Sequence, residues 1–209
     1  MRIRSAILLS LLFASCYKTA DETSRFHEDG RAKPIVAVCS MIDTTSFDCA
    51  WSVSEELTSM ISQNLSKNGT IFVEKGEEFA FAENPFGTDL AWMKREFPEQ
   101  EFAVFMELVE HHNVPVAKPK PGASEVSSNL NMGVRIRVVD LRSAQPKIVL
   151  QEMVRNSYFV PKTLLPTDYN IAVWGTDDFR RSPMGVAHSQ LVDEIVSRLN
   201  DYILLAKSR

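Results

Sequence analysis

The sequence predicts an α/β (α+β) fold. A single two- or three-layer sandwich is expected, with a mixed sheet of about five strands, a helix after the first strand and a long C-terminal helix. Three observations carry this. Residues 35–74 read as strand, helix, strand with short connections. Residues 130–154 alternate apolar and polar side chains across a central turn, the pattern of a hairpin. The last two dozen or so residues place Val186, Leu191, Ile195, Leu199 and Ile203 at intervals that form one apolar helical stripe.

Taken in order, Ile35-Val36-Ala37-Val38-Cys39 is a continuous apolar run, as expected of a strand buried on both faces. A polar loop from Asp43 to Asp48 leads to Ser52, which with Glu55 makes an S-x-x-E capping box. Val53, Leu57, Ile61 and Leu65 then recur at i, i+4, and Asn68-Gly69 closes the helix with a left-handed residue. Thr70–Glu74 is the next strand. Glu77–Glu83 suits a short helix, and Thr88 is placed to cap another containing Leu90, Trp92, Met93 and Phe97, ended by Pro98. Phe102–Val109 reads as a strand running on towards His112. Pro115, Pro119, Pro121 and Gly122 mark an exposed loop over 114–128. In the alternating strand that follows, Arg135 and Arg137 fall on one face, so that face is expected to be half solvated. Ser143–Pro146 turns into the partner strand, 148–154. A second long loop, 161–184, precedes the final helix of about 185–207, whose late Lys207 suits the negative end of the helix dipole.

The N-terminus is of a different character. Arg2 and Arg4 precede an apolar run, Ala6–Ala14, far shorter than the roughly 20 residues of a spanning helix. This is the layout of an export signal. Leu12-Phe13-Ala14-Ser15-Cys16 then resembles a bacterial lipobox, which implies cleavage before Cys16 and lipid attachment to its thiol. The expected organisation is a signal peptide over 1–15, a flexible tether over 16–33 and a domain over 34–209. Tyr17, where an inner-membrane retention signal would carry Asp, resembles an outer-membrane-directed signal, with the domain facing the periplasm.

The whole chain has 23 basic and 27 acidic residues, a net charge of −4; removing 1–15 leaves 194 residues at −6. That balance offers no basic face for nucleic acid. After lipidation only Cys39 and Cys49 remain as thiols. They can close an eleven-residue disulfide loop, stabilising by roughly 2–3 kcal/mol, or stay free, with Cys39 as a small core hydrophobe.

No motif announces a reaction. G-x-S-x-G, G-x-x-x-x-G-K-[ST] and G-x-G-x-x-G are absent, and no cofactor is expected. His111 and His112 are neighbours on a strand and point to opposite faces, so they cannot share a metal ion; they read as two polar residues at a strand end. Glu55-Glu56, Glu77-Glu78 and Asp177-Asp178 read as solvated surface charge. The segment with a functional composition is 161–184, where Tyr169, Trp174 and Phe179 accompany Arg180 and Arg181. Those residue types dominate binding hot spots. An equal alternative is that the segment folds back as a lid over the core.

Several stretches resemble CsgG-like envelope lipoproteins, a group that includes the curli secretion lipoprotein and the penicillin-binding-protein activator lipoproteins. They are Ile35–Val38, Trp51-Ser52-Val53-Ser54-Glu55-Glu56-Leu57, Gly69–Glu74, Val134–Leu141 and Pro183-Met184-Gly185. The whole chain also looks like a chlamydial lipoprotein family of unassigned role. The resemblance implies a lipid-anchored, non-catalytic binding or assembly module for another envelope protein. The alternatives are a subunit of an outer-membrane secretion pore or a cell-wall enzyme. Partner identity and oligomeric state stay open.

Overall fold

Four apolar residues with no polar break, Ile35-Val36-Ala37-Val38, demand cover on both sides, and the fold supplies it. In the computed structural model, which describes residues 24–74, 83–116, 127–161 and 172–209, they form β1 (Ile35–Val38). Val36 packs into the main core, while Ala37 and the following Cys39 pack into a second, smaller core on the opposite face of the sheet. Strand β2 (Ile42–Asp43) follows, then α1 (Val53–Lys67), then β3 (Phe72–Glu74). Ser52 caps α1 as expected, its Oγ accepting from the Glu55 N–H at 3.2 Å. Gly69, at φ +67°, supplies the left-handed residue that ends the helix. Strands β1 and β3 are parallel neighbours joined by α1, the crossover unit read from the sequence.

One turn, α2 (Met93–Glu96), and three long strands complete the sheet: β4 (Phe102–Pro115), β5 (Ser128–Asp140) and β6 (Lys147–Val160). The order is β3-β1-β4-β5-β6, with β1 parallel to β3 and β4, and β4, β5 and β6 antiparallel. β2 pairs with β4 beyond the end of β1. The sheet is therefore mixed and six-stranded. A short α3 (Asp177–Arg181) leads into α4 (Pro183–Lys207). α1 and α4 pack side by side over one face of the sheet, burying Leu57, Ile61, Leu65, Leu191, Ile195 and Leu199 against Val104, Met106, Val134 and Ile136. Among the described residues no helix is long and apolar enough to cross a membrane.

Two local expectations are corrected and one open alternative is decided. The helix expected after Thr88 is the single turn α2, which starts from Trp92 with no side-chain cap, while the Asp89 carboxylate accepts from the Ala91 N–H at 2.9 Å in the turn before it. The arginine face of β5 is solvated only at one of its two arginines: the Arg135 side chain is 39% exposed, whereas Arg137 is only 4% exposed. Its guanidinium donates to the carbonyls of Pro85, Phe86 and Gly87 at 2.7–3.0 Å and its Nε to Gln151 at 2.7 Å, while the Phe86 ring lies under the Arg135 guanidinium. Periodicity shows which side chains share a face, but the segment 83–97 lies over this face and supplies carbonyls in place of water. Finally, Cys39 and Cys49 are both free. Cys39 belongs to the second core and Cys49 packs against the first, so the sheet separates them. Burial pushes the Cys39 thiol up, keeping it protonated and inert.

The expected helix over 77–83 lies almost wholly outside the described residues, as does most of the loop over 114–128. Cys16 is outside them as well. The last part of the expected tether, 24–33, takes a tight turn in which Phe26 pairs with Ala32 and Gly30 adopts φ +82°.

Candidate functional site

The segment that the composition singled out ends in a corner built by two hydroxyl caps. Thr176 Oγ1 accepts from the Phe179 N–H at 3.2 Å and starts α3. Ser182 Oγ accepts from the Gly185 N–H at 3.0 Å and donates to the Phe179 carbonyl at 2.8 Å, so one buried hydroxyl ends α3 and starts α4. Pro183 at the first turn of α4 costs no hydrogen bond there. Gly185 sits directly beneath the Phe179 carbonyl, closer than any side chain would allow.

The five expected binding residues are separated by this corner. Tyr169 lies outside the described residues. Phe179 is 3% exposed and belongs to the core, so it is not a surface contact. Trp174 is half-buried with its ring against the core, and Arg180 and Arg181 are exposed. Arg180 pairs with Asp177, which is also exposed. The segment is thus lid and surface at once: Ala172 and Phe179 plug the core, Trp174 packs half-buried at its edge, and Arg180 is exposed. Together with Met60, Gln63, Asn64 and Lys67 of α1 they line a groove of about 560 Å³. The lining is mixed: apolar Met60, Trp174 and, as its buried floor, Phe179 stand with polar Gln63 and Asn64 and the cations Lys67 and Arg180, the latter paired with Asp177.

Beneath that floor runs a chain of buried polar side chains that the sequence reading assigned elsewhere. Trp51 Nε1–H donates to Glu56 Oε2 at 2.9 Å. Glu56 Oε1 lies 2.9 Å from His188 Nδ1, and His188 Nε2 lies 3.2 Å from His111 Nε2. Glu56 and His188 are fully buried and His111 is 3% exposed. Phe179 packs edge-on to both Trp51 and His188, at centroid distances of 5.3 and 5.6 Å, and the Phe47 ring lies 4.4 Å from that of His111. The chain thereby ties α1, β4 and α4 to the plug residue of α3.

Two expectations are overturned here. Glu56 is not surface charge, because it shares the inner face of α1 with Val53, Leu57 and Ile61. His111 is not a solvated strand end, and a β-bulge explains why. The pairing of β4 with β5 slips between Leu108 and Glu110, so Leu108 faces Val134 but Glu110 faces Gly133 and His111 faces Met132. One extra residue inverts the alternation, turning His111 to the helical side and Glu110 and His112 to the other. Glu110 there lies near Arg155 and His112. Adjacent histidines do point to opposite faces, as expected; their distant partner was the missing element. The only sequence signal for the bulge was Gly133, whose missing side chain lets Glu110 approach.

Burial, and then His188, hold His111 well below the ordinary imidazole range, at about 3, so it is neutral at pH 7. Among the described residues no group of three or more His, Cys, Asp or Glu side chains is arranged to hold a metal ion. The contacts run in a line from Trp51 Nε1 through Glu56 and His188 to His111 Nε2, whereas a shared ion would need the donor atoms to converge.

Among solved structures, the chain is similar to the protein CT253 from Chlamydia trachomatis, with a TM-score of 0.68 and 23% identity over 82% of this chain and 98% of that one. XCC0632 from Xanthomonas campestris matches with a TM-score of 0.50 and 8% identity, covering 85% of this chain and 87% of that one. PelC from Paraburkholderia phytofirmans gives 0.47 and 14%, covering 80% and 88%. The first two likenesses are of fold. None of the curated proteins matches this chain. Residues 22–207 match the family of unknown function DUF7499 across nearly the whole described domain, and the chain belongs to that family.

Proposed function

We propose that this chain is a lipid-anchored, non-catalytic module of the bacterial envelope that docks another envelope protein in the groove between α1 and the Trp174–Arg180 corner. The observation that carries the reading is how the fold distributes its chemistry. Glu56, His188 and His111, which could move protons, are sealed at 0–3% exposure beneath Phe179. Trp174 and Arg180 stand at the surface on a corner held by two caps. A half-buried Trp beside cations, on rigid elements, suits recognition of a partner's apolar, acidic segment. The lipobox-like run before Cys16 and the resemblance to CsgG-like lipoproteins support an anchor through that cysteine. With Tyr17 they favour the outer membrane and a domain facing the periplasm. Two or more acyl chains, each contributing about 0.8 kcal/mol per buried methylene, would hold such a domain stably.

Two experiments test the two halves of this reading. Radiolabelled palmitate is expected to label the wild type and not Cys16→Ala; equal labelling of both would refute the anchor. In native envelopes, a photocrosslinker placed at Gln63 in the groove is expected to capture a discrete envelope protein. Capture should fall about 30-fold when Trp174→Ala and Arg180→Glu are combined, the magnitude expected for loss of a hot spot worth 2 kcal/mol. Undiminished capture would sink the groove as the docking site.

A further inference from the structure

The end of the domain from which the tether leaves carries an apolar surface that the docking groove does not use. We infer that this end rests on the bilayer. Ile148, Tyr202 and Leu205 sink into the headgroup layer of the membrane that holds Cys16, and they orient the domain with the Trp174–Arg180 corner pointing away from it. The inference rests on the anchor through Cys16 and is independent of what the groove binds.

Backbone hydrogen bonds define this end. Glu101 N–H donates to the Ile35 carbonyl and Leu141 N–H to the Glu101 carbonyl, both at 2.8 Å, so the starts of β1 and β4 lie beside the end of β5. Lys147, at the start of β6, faces Asp140. The C-terminus of α4 is tied to the same place by Lys207, which pairs with Glu101, and by Arg142, which donates to the Ala206 carbonyl at 2.7 Å. The described residues begin at this end too, where Arg25 lies over the Phe72 ring at the start of β3 and Phe72 N–H donates to the Pro34 carbonyl. From Ser24 back to Cys16 is eight residue steps, which a fully extended chain covers in at most about 29 Å. A lipid on Cys16 keeps this end, rather than the opposite one, within that reach of the bilayer.

The surface held there has the composition of a membrane interface. Phe26, Ile148, Tyr202 and Leu205 are 57%, 43%, 40% and 51% exposed. The last three line one depression of about 720 Å³, with Arg142, Lys147 and Arg209 among its walls. Aliphatic groups beside a phenol, rimmed by long cations, place apolar surface at the acyl boundary, the ring at headgroup level and the charges in water. Charge alone does not draw this end to a membrane. Arg142 is paired with Asp140 and Lys207 with Glu101, Asp201 is exposed next to Tyr202, and the chain without 1–15 carries −6. The contact is therefore apolar and short-ranged, and the tether supplies the proximity it needs. α1 and α4 run parallel, since Asn64 meets Asp193 and Thr70 meets Asn200. With the C-terminus of α4 on the bilayer, its 25 residues carry the Trp174–Arg180 corner up to about 37 Å outward, where a partner can reach the groove.

The test uses the full chain purified from envelopes and reconstituted in vesicles of equal parts phosphatidylethanolamine and phosphatidylglycerol. A photocrosslinking residue at Leu205 is expected to give an adduct with the mass of a phospholipid. The same residue at Val186, comparably exposed at the other end of α4, is expected to give none. Equal lipid adducts at both positions mean a domain that tumbles on its tether, and protein adducts in place of lipid at Leu205 mean a protein partner; either overturns the resting face. High salt should leave the yield unchanged, and a loss in salt overturns the apolar contact. From Ile148, lipid capture should fall about tenfold when Tyr202→Asp and Leu205→Asp are combined, the scale set by the apolar area those side chains bury; undiminished capture counts against it. Palmitate on Cys16 without lipid adducts at Leu205 removes the resting face alone, whereas a chain that takes no palmitate removes the anchor and this inference with it.

Discussion

Glu56→Ala is expected to destabilise the fold by about 4 kcal/mol at pH 7, read from urea unfolding of wild type and variant side by side. Truncation leaves the part-buried Trp51 Nε1–H and the fully buried His188 Nδ1–H without their shared acceptor. Losing one partner of a buried charged pair typically costs about 3–5 kcal/mol, because the remaining group stays desolvated. The carboxylate also lies in the first turn of α1, where the helix dipole favours negative charge. Glu56→Gln separates polar satisfaction from shape. Its amide can still accept from Trp51, while its NH₂ can meet His188 only if that ring changes tautomer, so a loss of about 1–2 kcal/mol is expected. An alanine variant within 1 kcal/mol of wild type would mean that the buried chain contributes little.

Gly185→Ala is the second large effect. Its Cβ would fall on the Phe179 carbonyl, with the Phe179 carbonyl carbon and Arg180 Cα close behind, and all three are backbone atoms. That carbonyl also accepts from Ser182 Oγ, so it cannot move without breaking the bond that joins α3 to α4. Relief requires one helix to shift, at a cost of about 3 kcal/mol. The predicted phenotype is a lowered urea midpoint together with weakened crosslinking from the groove, since Trp174 and Arg180 ride on the same corner. Gly175→Ala offers a comparison. It has open space around it but a φ of +87°, so its cost should come from backbone strain alone and be smaller, about 1 kcal/mol.

These two residues also show where sequence reasoning stops. Val53, Leu57, Ile61 and Leu65 were legible as a stripe because the helical period is a property of consecutive residues, and so was the cap at Ser52. Glu56 sits inside the same arc, but beside Glu55 it looks like surface charge. Nothing local says that Trp51 and a histidine 132 residues away will satisfy it. Arg137 is the same case on the sheet: its face was readable, its carbonyl partners 50 to 52 residues away were not. The aromatic segment was found by composition, yet composition could not say that Phe179 turns inward and Arg180 outward, since a one-turn helix has too little periodicity to show its faces.

The sequence by itself determined the mixed sheet, the α1 crossover, the β5–β6 hairpin, the long α4 and the export-like N-terminus. Each rests on period, capping or turn chemistry carried by neighbours in the chain. Only the tertiary structure decided which polar residues are buried and against what. Burial of Glu56, His111, Arg137 and His188 depends on elements far apart in sequence meeting at one place. A single-residue bulge after Leu108 was enough to turn a histidine from one face of the sheet to the other.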